Sequence, residues 1–396
     1  MTSSPSDAPA GTAQLNKRGA ERILTGHPWI YRSDVTREPA LPGGGAVRVV
    51  DSRGHFLALA HYSGRSKIAL RLLSREDQPL GRAFYEERIS RALAMRQLLM
   101  PEADGLRLVH GESDLLPGLV VDRYGKVLSV QTLTPAMDIM RETLFDILQE
   151  KLAPVSIVER NDGRTRDLEG LPVRKGVVRG PAPGLVEYHE GSVTLLADPV
   201  DGQKTGAFLD QRENHLASAA YATGECLDCF CYAGGFALQM AARASHVLAV
   251  EMSPKAAAEA KSGVERNGAR NVEVREANVF DLLRDEIDRG ARYDTIVLDP
   301  PAFAKTRDKL QAAIRGYKEI NLRAMQLLRP GGVLITCSCS YHLGPEPFEA
   351  MVLDAANDAK RPLQIVERRG AGRDHPSLLG APETRYLKVL VGRTPA

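Results

Sequence analysis

Apolar positions change their period partway along the chain. Beyond about residue 198, short runs of β-branched and aliphatic residues alternate with longer segments of helical spacing. Runs at Glu225–Cys229, His246–Glu251, 272–275, 293–299 and 332–337, with a late pair at 363–367 and 386–392, predict strands. Strands separated by helices of roughly 10–15 residues indicate parallel βαβ construction, hence an α/β doubly wound domain over 198–396. The earlier chain reads differently. From Lys17 to about residue 73, short alternating runs such as Ala46–Val50 and 55–61 flank the turn Asp51-Ser52-Arg53-Gly54, which predicts a small β-rich domain over 17–80. A second unit over 81–197 is expected to be α+β. It would have helices at 82–100 and 137–151 and strands at 119–122, Val127–Thr132, 156–159 and Val193–Ala197. In the first of these helices Tyr85, Ile89, Ala92 and Leu93 are spaced to share a face. Residues 1–16, rich in Ser, Pro, Ala and Gly, read as a disordered tail without the basic-then-apolar order of a signal peptide.

Composition adds limits. A chain of 396 residues exceeds what one core usually organises, which favours two or three domains. With 43% hydrophobic and 26% charged residues, global disorder is excluded. A net charge of +2 means that any nucleic-acid contact must come from local patches. One such patch is Lys17, Arg18, Arg22, His27, Trp29, Tyr31 and Arg32, which could contact phosphates and stack on bases. Equally, Trp29 and Tyr31 could fill a small core beneath solvated basic side chains. The five cysteines, Cys226, Cys229, Cys231, Cys337 and Cys339, form no disulfide framework and suit a reducing cytoplasm. Spacing around Cys226, Cys229 and Cys231 does not favour a metal site, and no apolar run is long enough to predict a membrane span.

Candidate chemistry collects at the predicted strand ends. Asp228 is followed by Cys229-Phe230-Cys231-Tyr232-Ala233-Gly234-Gly235-Phe236, a strand running through a glycine turn into a helix. There Gly234 and Gly235 would let backbone approach a ligand. Glu251 ends the next strand, where a carboxylate can accept both hydroxyls of a ribose, although it could instead cap the helix opening at Ser253-Pro254. Asn278 could offer an amide to an adenine edge. Asp299 precedes Pro300-Pro301 at the carboxyl end of the fourth strand, and the fifth ends Thr336-Cys337-Ser338-Cys339-Ser340, which brings thiols toward the same edge. Addition of a thiolate to C6 of a pyrimidine makes C5 nucleophilic enough to attack a methylsulfonium, so one of these cysteines is a candidate nucleophile. The competing role is a small buried hydrophobe.

These segments together resemble the large-subunit (23S) rRNA cytosine-5 methyltransferases of class I that carry an N-terminal PUA domain. The resemblance runs through Gly26-His27-Pro28-Trp29-Ile30-Tyr31, Gly111-Glu112-Ser113-Asp114-Leu115-Leu116-Pro117-Gly118-Leu119, Phe208-Leu209-Asp210-Gln211-Arg212-Glu213-Asn214, Asp228 to Phe236, Asp299 to Phe303 and Ser338-Cys339-Ser340. It implies a Rossmann-like domain with a mixed seven-stranded sheet, preceded by a PUA domain and a small α+β domain. It also implies S-adenosylmethionine as cofactor. Asp228, Phe230, Tyr232, Gly234, Glu251, Asn278 and Asp299 would line that site, with Gln211 and Arg212 nearby. Cys339 rather than Cys337 matches the family's nucleophile, and Asp299 would hydrogen-bond protonated N3 of the cytosine. The base that removes the C5 proton could be water or Cys337. Lys17, Arg18, Trp29 and Arg32 would contact an rRNA that is protein-free or in an assembly intermediate, with a homodimer and a cytoplasmic location expected. Position 278 departs from the Asp frequent in relatives, and no cysteine follows the prolines after Asp299. Two rivals are methylation of a guanine nitrogen, which needs no thiolate, and a non-catalytic RNA-binding assembly factor.

Overall fold

The computed structural model describes residues 8–304 and 306–396. Its chain divides into two compact units. One comprises residues 1–186, 197–209 and 373–384, and the other 187–196, 210–372 and 385–396.

The first unit holds two sheets. Its six-stranded sheet runs, in spatial order, Trp29–Tyr31, Ile68–Ser74, Phe56–Tyr62, Ala46–Val50, Thr12–Leu15 and Val35–Arg37. Ala13, Leu15, Ile30, Val47, Val49, Ala58 and Ala60 form its buried core. Two differences from expectation occur here. Thr12–Leu15 is a strand, paired parallel to Ala46–Val50, although the tail was expected to extend through it. Four residues are too short a run for alternation to be legible, yet Ala13 and Leu15 are fully buried. Residues 1–7 of that expected tail lie outside the described residues. Lys17–Leu24, expected as strand and turn, is a helix capped by the Asn16 side chain, which accepts from the Gly19 amide at 2.8 Å. Gly19, a poor helix former, masks it in the sequence, but the residue packs against Asp34, where a methyl group would be crowded.

A five-stranded sheet, ordered Arg174–Arg179, Ser156–Asn161, Val127–Thr132, Leu119–Tyr124 and Gly105–His110, completes this unit with the helices Arg82–Leu99 and Pro135–Leu152. Tyr85, Ile89 and Ala92 are buried as their spacing predicts, in one core with Leu106, Val121, Leu144 and Leu148.

The second unit is the expected doubly wound domain. Its strands are β1 (Glu225–Cys229), β2 (His246–Glu251), β3 (Val272–Glu276), β4 (Tyr293–Leu298), β5 (Leu328–Ser338), β6 (Gln364–Arg369) and β7 (Lys388–Arg393). The helices between them are α1 (Gly235–Ala241), α2 (Pro254–Arg266), α3 (Val279–Asp288), α4 (Leu310–Leu327) and α5 (Pro345–Asp358). Strand order is β3-β2-β1-β4-β5-β7-β6. The first five strands are mutually parallel, and β7 runs antiparallel between β5 and β6. Buried strands covered on both faces need apolar residues on both sides. Two clusters supply them, Leu227, Leu248, Ile296 and Leu334 toward one face and Val247, Ala249, Val297 and Ile335 toward the other. Order reverses beside β1, and in open sheets a ligand crevice opens at such a switch point.

Candidate active site

Strand register lines up the carboxyl ends. Cys229 of β1 lies opposite Val250 of β2 and Leu298 of β4, Leu298 lies opposite Thr336 of β5, and Glu251 lies opposite Glu276. The strand ends and the segments that follow therefore meet at one edge: the loop from Phe230, Glu251 closing β2 with Asn278 after β3, Asp299, and Cys337 and Ser338 closing β5 with Cys339 and Ser340 beyond. The predicted chemistry is brought together by this register.

The loop after β1 is held in an unusual conformation. Phe230, Tyr232 and Gly234 have φ of 65°, 49° and 85°. A left-handed backbone at a residue with a side chain costs on the order of 1–3 kcal/mol and persists where surrounding bonds enforce it, commonly at ligand sites. Here the Cys231 amide donates to Val250 O at 3.0 Å, the Gly234 amide to Cys231 O at 2.7 Å, and the Tyr232 amide to Glu251 Oε2 at 3.1 Å. The two glycines serve different ends. Gly234 supplies the left-handed residue at the start of α1, whereas a side chain at Gly235 would collide with the ring of His215. That ring is fixed by Glu190, whose Oε2 lies 2.7 Å from Nδ1. Packing thus accounts for Gly235, where ligand approach was expected.

Asp228, the last but one residue of β1, is fully buried. Its Oδ2 accepts from the Ala237 amide at 2.9 Å, while Oδ1 has no partner. Burial, with added repulsion from Asp299 and Glu251 and opposed by His215, pushes its carboxyl up to about 8. A buried acceptor lacking a donor fits a ligand that brings a cationic or N–H group, as the amino group of S-adenosylmethionine would. Glu251 is half-buried, and its Oε1 accepts from the Ser253 amide at 2.8 Å while Oε2 serves the loop. Since each carboxylate oxygen can accept twice, the structural role leaves acceptor capacity for ribose hydroxyls. Asn278 is exposed at the start of α3, and its Oδ1 accepts from the Phe280 amide at 2.9 Å. Its helix-capping role was not anticipated. Gln211 is buried and hydrogen-bonds Asn214 at 2.7 Å and the Cys337 thiol, and the Arg212 Nε is a buried donor with no partner.

Cysteine burial separates the two candidate thiols. Cys339 is half-exposed, whereas Cys226, Cys229, Cys231 and Cys337 are buried, and the described residues contain no disulfide. Burial and the neighbouring Asp299 raise the Cys337 thiol well above its ordinary range, so it stays protonated. The turn carrying Cys339 is pinned on both sides. The Ser340 amide donates to Ser338 Oγ at 3.3 Å, Ser340 Oγ accepts from the Ala304 amide at 3.2 Å, and the Tyr317 hydroxyl lies 2.9 Å from it. Lys388 of β7 donates to Ser340 O at 2.7 Å and to Tyr386 O at 2.8 Å. Sequence reading missed this lysine, although a lone charge opening the apolar run Val389-Leu390-Val391 was a usable signal. It also missed an aromatic wall. Phe303 stacks near Tyr317 at 4.6 Å between ring centres, Phe280 lies 6.0 Å from it and Phe230 6.4 Å, a surface suited to a planar ligand.

The basic and aromatic residues of the first unit are more committed than composition suggests. Arg32 donates to Glu38 and to the Ser63 and Ser66 carbonyls, Trp29 Nε1 donates to Glu112 at 2.9 Å, and Arg22 lies over the Tyr31 ring. Arg18 is bound to Asp34 at 2.8 Å with its side chain 66% exposed, and Lys17 is 91% exposed. Among the described residues no helix is long and apolar enough to cross a membrane, and no cluster of His, Cys, Asp or Glu is placed to hold a metal.

A seven-stranded sheet of this order, with a strained glycine loop and carboxylates at one edge, defines an S-adenosylmethionine-dependent methyltransferase. The methyltransferase family model of that description matches residues 186–391, and a PUA-like domain model matches 13–75. The chain is 41% identical to ribosomal RNA large subunit methyltransferase I of Shewanella amazonensis, over 95% of this chain and 98% of the relative. It is 39% identical to the protein of the same name from Tolumonas auensis, over 96% and 99%. Among solved structures, a candidate methyltransferase complexed with SAH superposes with a TM-score of 0.84 at 18% identity, covering 96% of this chain and 99% of that one. It speaks for the fold alone. The chain belongs to the ribosomal RNA large subunit methyltransferase I family, and its methyl donor is S-adenosylmethionine.

Proposed function

We propose that this protein methylates C5 of a cytosine in large-subunit (23S) rRNA, with Cys339 as a covalent nucleophile. The observation that carries the reading is that β4 and β5 end in register, Leu298 opposite Thr336, so that Asp299 and the half-exposed Cys339 follow at one sheet edge, beside the loop suited to the cofactor. Methylation of a guanine nitrogen would leave this thiol without a task, because a nitrogen attacks a methyl donor directly.

Asp228, Phe230, Tyr232, Gly234, Glu251 and Asn278, with Gln211 and Arg212 nearby, would hold S-adenosylmethionine, which supplies an electrophilic methyl group. Asp299 would hold a proton at N3 of the target cytosine and so draw electrons from the ring. Cys339, as thiolate, gives its electron pair to C6, and the electron density released at C5 takes up the methyl group. Loss of the C5 proton then expels the thiolate and restores the double bond. Cys337 is a poor candidate for the base: it is already protonated and fully buried, which favours water for that step. The target base must leave its stack to reach Cys339. Residues 17–80 would form the RNA-contacting domain through Lys17, Arg18, Trp29 and Arg32, and 81–197 a middle domain. A protein of this kind would work in the cytoplasm on rRNA that is protein-free or partly assembled. Mass-spectrometric mapping of 23S rRNA from a deletion strain tests the assignment. Loss of a single 5-methylcytosine is the expected result, and an unchanged cytosine pattern with a lost methylguanosine would overturn it.

A further inference from the structure

Lys388 stands where a positive charge would act on the proposed nucleophile. It opens β7 opposite Ser338 in the antiparallel ladder with β5, and its Nζ donates to the carbonyl of Ser340. One contact thus precedes Cys339 along the chain and the other follows it. A second N–H goes to Tyr386 O, leaving the third of the ammonium's donors. At 6% exposed the side chain is shielded from water, so its charge is felt strongly over short distances.

Burying a lysine on two neutral carbonyls is poorly compensated. Desolvation lowers its pKa to about 8, and the one opposing influence is Cys339. A structural tie between β7 and the Cys339 turn could be made by a neutral donor at less cost. Retention of an ammonium there is accounted for if the charge has a negative partner, and the thiolate is the anion at hand.

We propose that Lys388 is a positioning residue whose ammonium stabilises the Cys339 thiolate, both before it adds to the base and when it is expelled. The inference rests on the reading of Cys339 as nucleophile. The thiol proton passes to water, the electron pair stays on sulfur, and Lys388 keeps its own proton throughout. Other groups face the same place: Asp299 beyond β4 raises the neighbouring Cys337 thiol by repulsion, Tyr317 of α4 lies close enough to Cys339 to feel its charge, and Cys337 of β5 is neutral. Lys388 is the cation among these groups.

The test is the pH dependence of Cys339 alkylation by iodoacetamide in the full-length protein, read on the Cys339 peptide by mass spectrometry. In the wild type the midpoint should fall below the roughly 8.5 of an ordinary thiol. Lys388→Met should raise it by about one unit, a tenfold loss of thiolate at neutral pH, while Lys388→Arg, which keeps the charge, should stay near the wild type. A wild-type midpoint at or above the ordinary value overturns the proposal without any variant having to fold. So does an unchanged midpoint in folded Lys388→Met. If the midpoint depends on Lys388 but Cys339→Ala still methylates RNA, the charge coupling stands and the nucleophile reading fails.

Discussion

The basic stretch near the N-terminus and the carboxyl edge of the seven-stranded sheet both look functional in composition, yet the fold treats them in opposite ways. In the first, Arg32 and the indole N–H of Trp29 are taken up by internal acceptors, and only Lys17 and Arg18 extend well into solvent. At the second, Asp228 keeps a buried oxygen without a partner, Phe230 and Tyr232 hold strained backbone, and Cys339 stays half-exposed while every other cysteine is buried. Residues whose bonding capacity is met within the fold serve stability. Those left strained, unmatched or partly exposed at one edge are the ones that the proposed function assigns to a ligand.

That contrast can be broken by substitution. Cys339→Ala should reduce methyl transfer to below about a thousandth of wild type while leaving cofactor binding measurable by calorimetry; turnover near wild type would remove the covalent step. Asp299→Asn should lower the rate by about 10²–10⁴-fold if its proton at N3 is required, which single-turnover kinetics on unmodified rRNA would show. Asp228→Asn should weaken S-adenosylmethionine binding by roughly tenfold to a hundredfold, since the amide cannot ionise against the cofactor's cation as the carboxyl would on binding.

The same Asp228 substitution carries a pH signature. In the folded protein its carboxyl holds a proton up to about pH 8, whereas in the unfolded chain it releases it near 4. Its stabilisation is therefore fully present below about pH 4 and is lost as pH rises toward 8. Cofactor-free wild type should lose melting temperature across that window relative to Asp228→Asn, and parallel curves would refute the buried neutral acid.

In the basic stretch the effects should be smaller and of another kind. Arg32→Ala should cost about 1–3 kcal/mol of stability by leaving carbonyl acceptors unmet, seen in chemical denaturation, with little change in the salt dependence of RNA binding. The double variant Lys17→Ala, Arg18→Ala should leave the melting temperature near wild type. It should instead reduce the salt slope of RNA affinity by about one for each phosphate that is no longer neutralised.

Much of this was legible beforehand. The strands of the second unit announce themselves as apolar runs because parallel strands covered on both faces need such runs, and β1 and β2 match their expected bounds. Asp228, Glu251, Asp299 and the Cys337/Cys339 pair could be singled out because strand ends in a parallel sheet share an edge, whereas the choice of Cys339 within the pair comes from the resemblance to the family. What stayed hidden depends on packing across long sequence separations. Nothing local in Thr12–Leu15 reveals a partner strand more than thirty residues on. Gly235 looks like a ligand glycine until the His215 ring is seen against it. Lys388 takes its meaning from Ser340, far away in sequence and adjacent in space.

The most direct test of the covalent reading is trapping. A 5-fluorocytosine in the target RNA blocks loss of the C5 substituent, so the methylated base should remain joined to the protein, with digestion placing the bond on Cys339. Efficient methylation of unsubstituted RNA alongside no trapped complex, or a bond mapped to another residue, would contradict it.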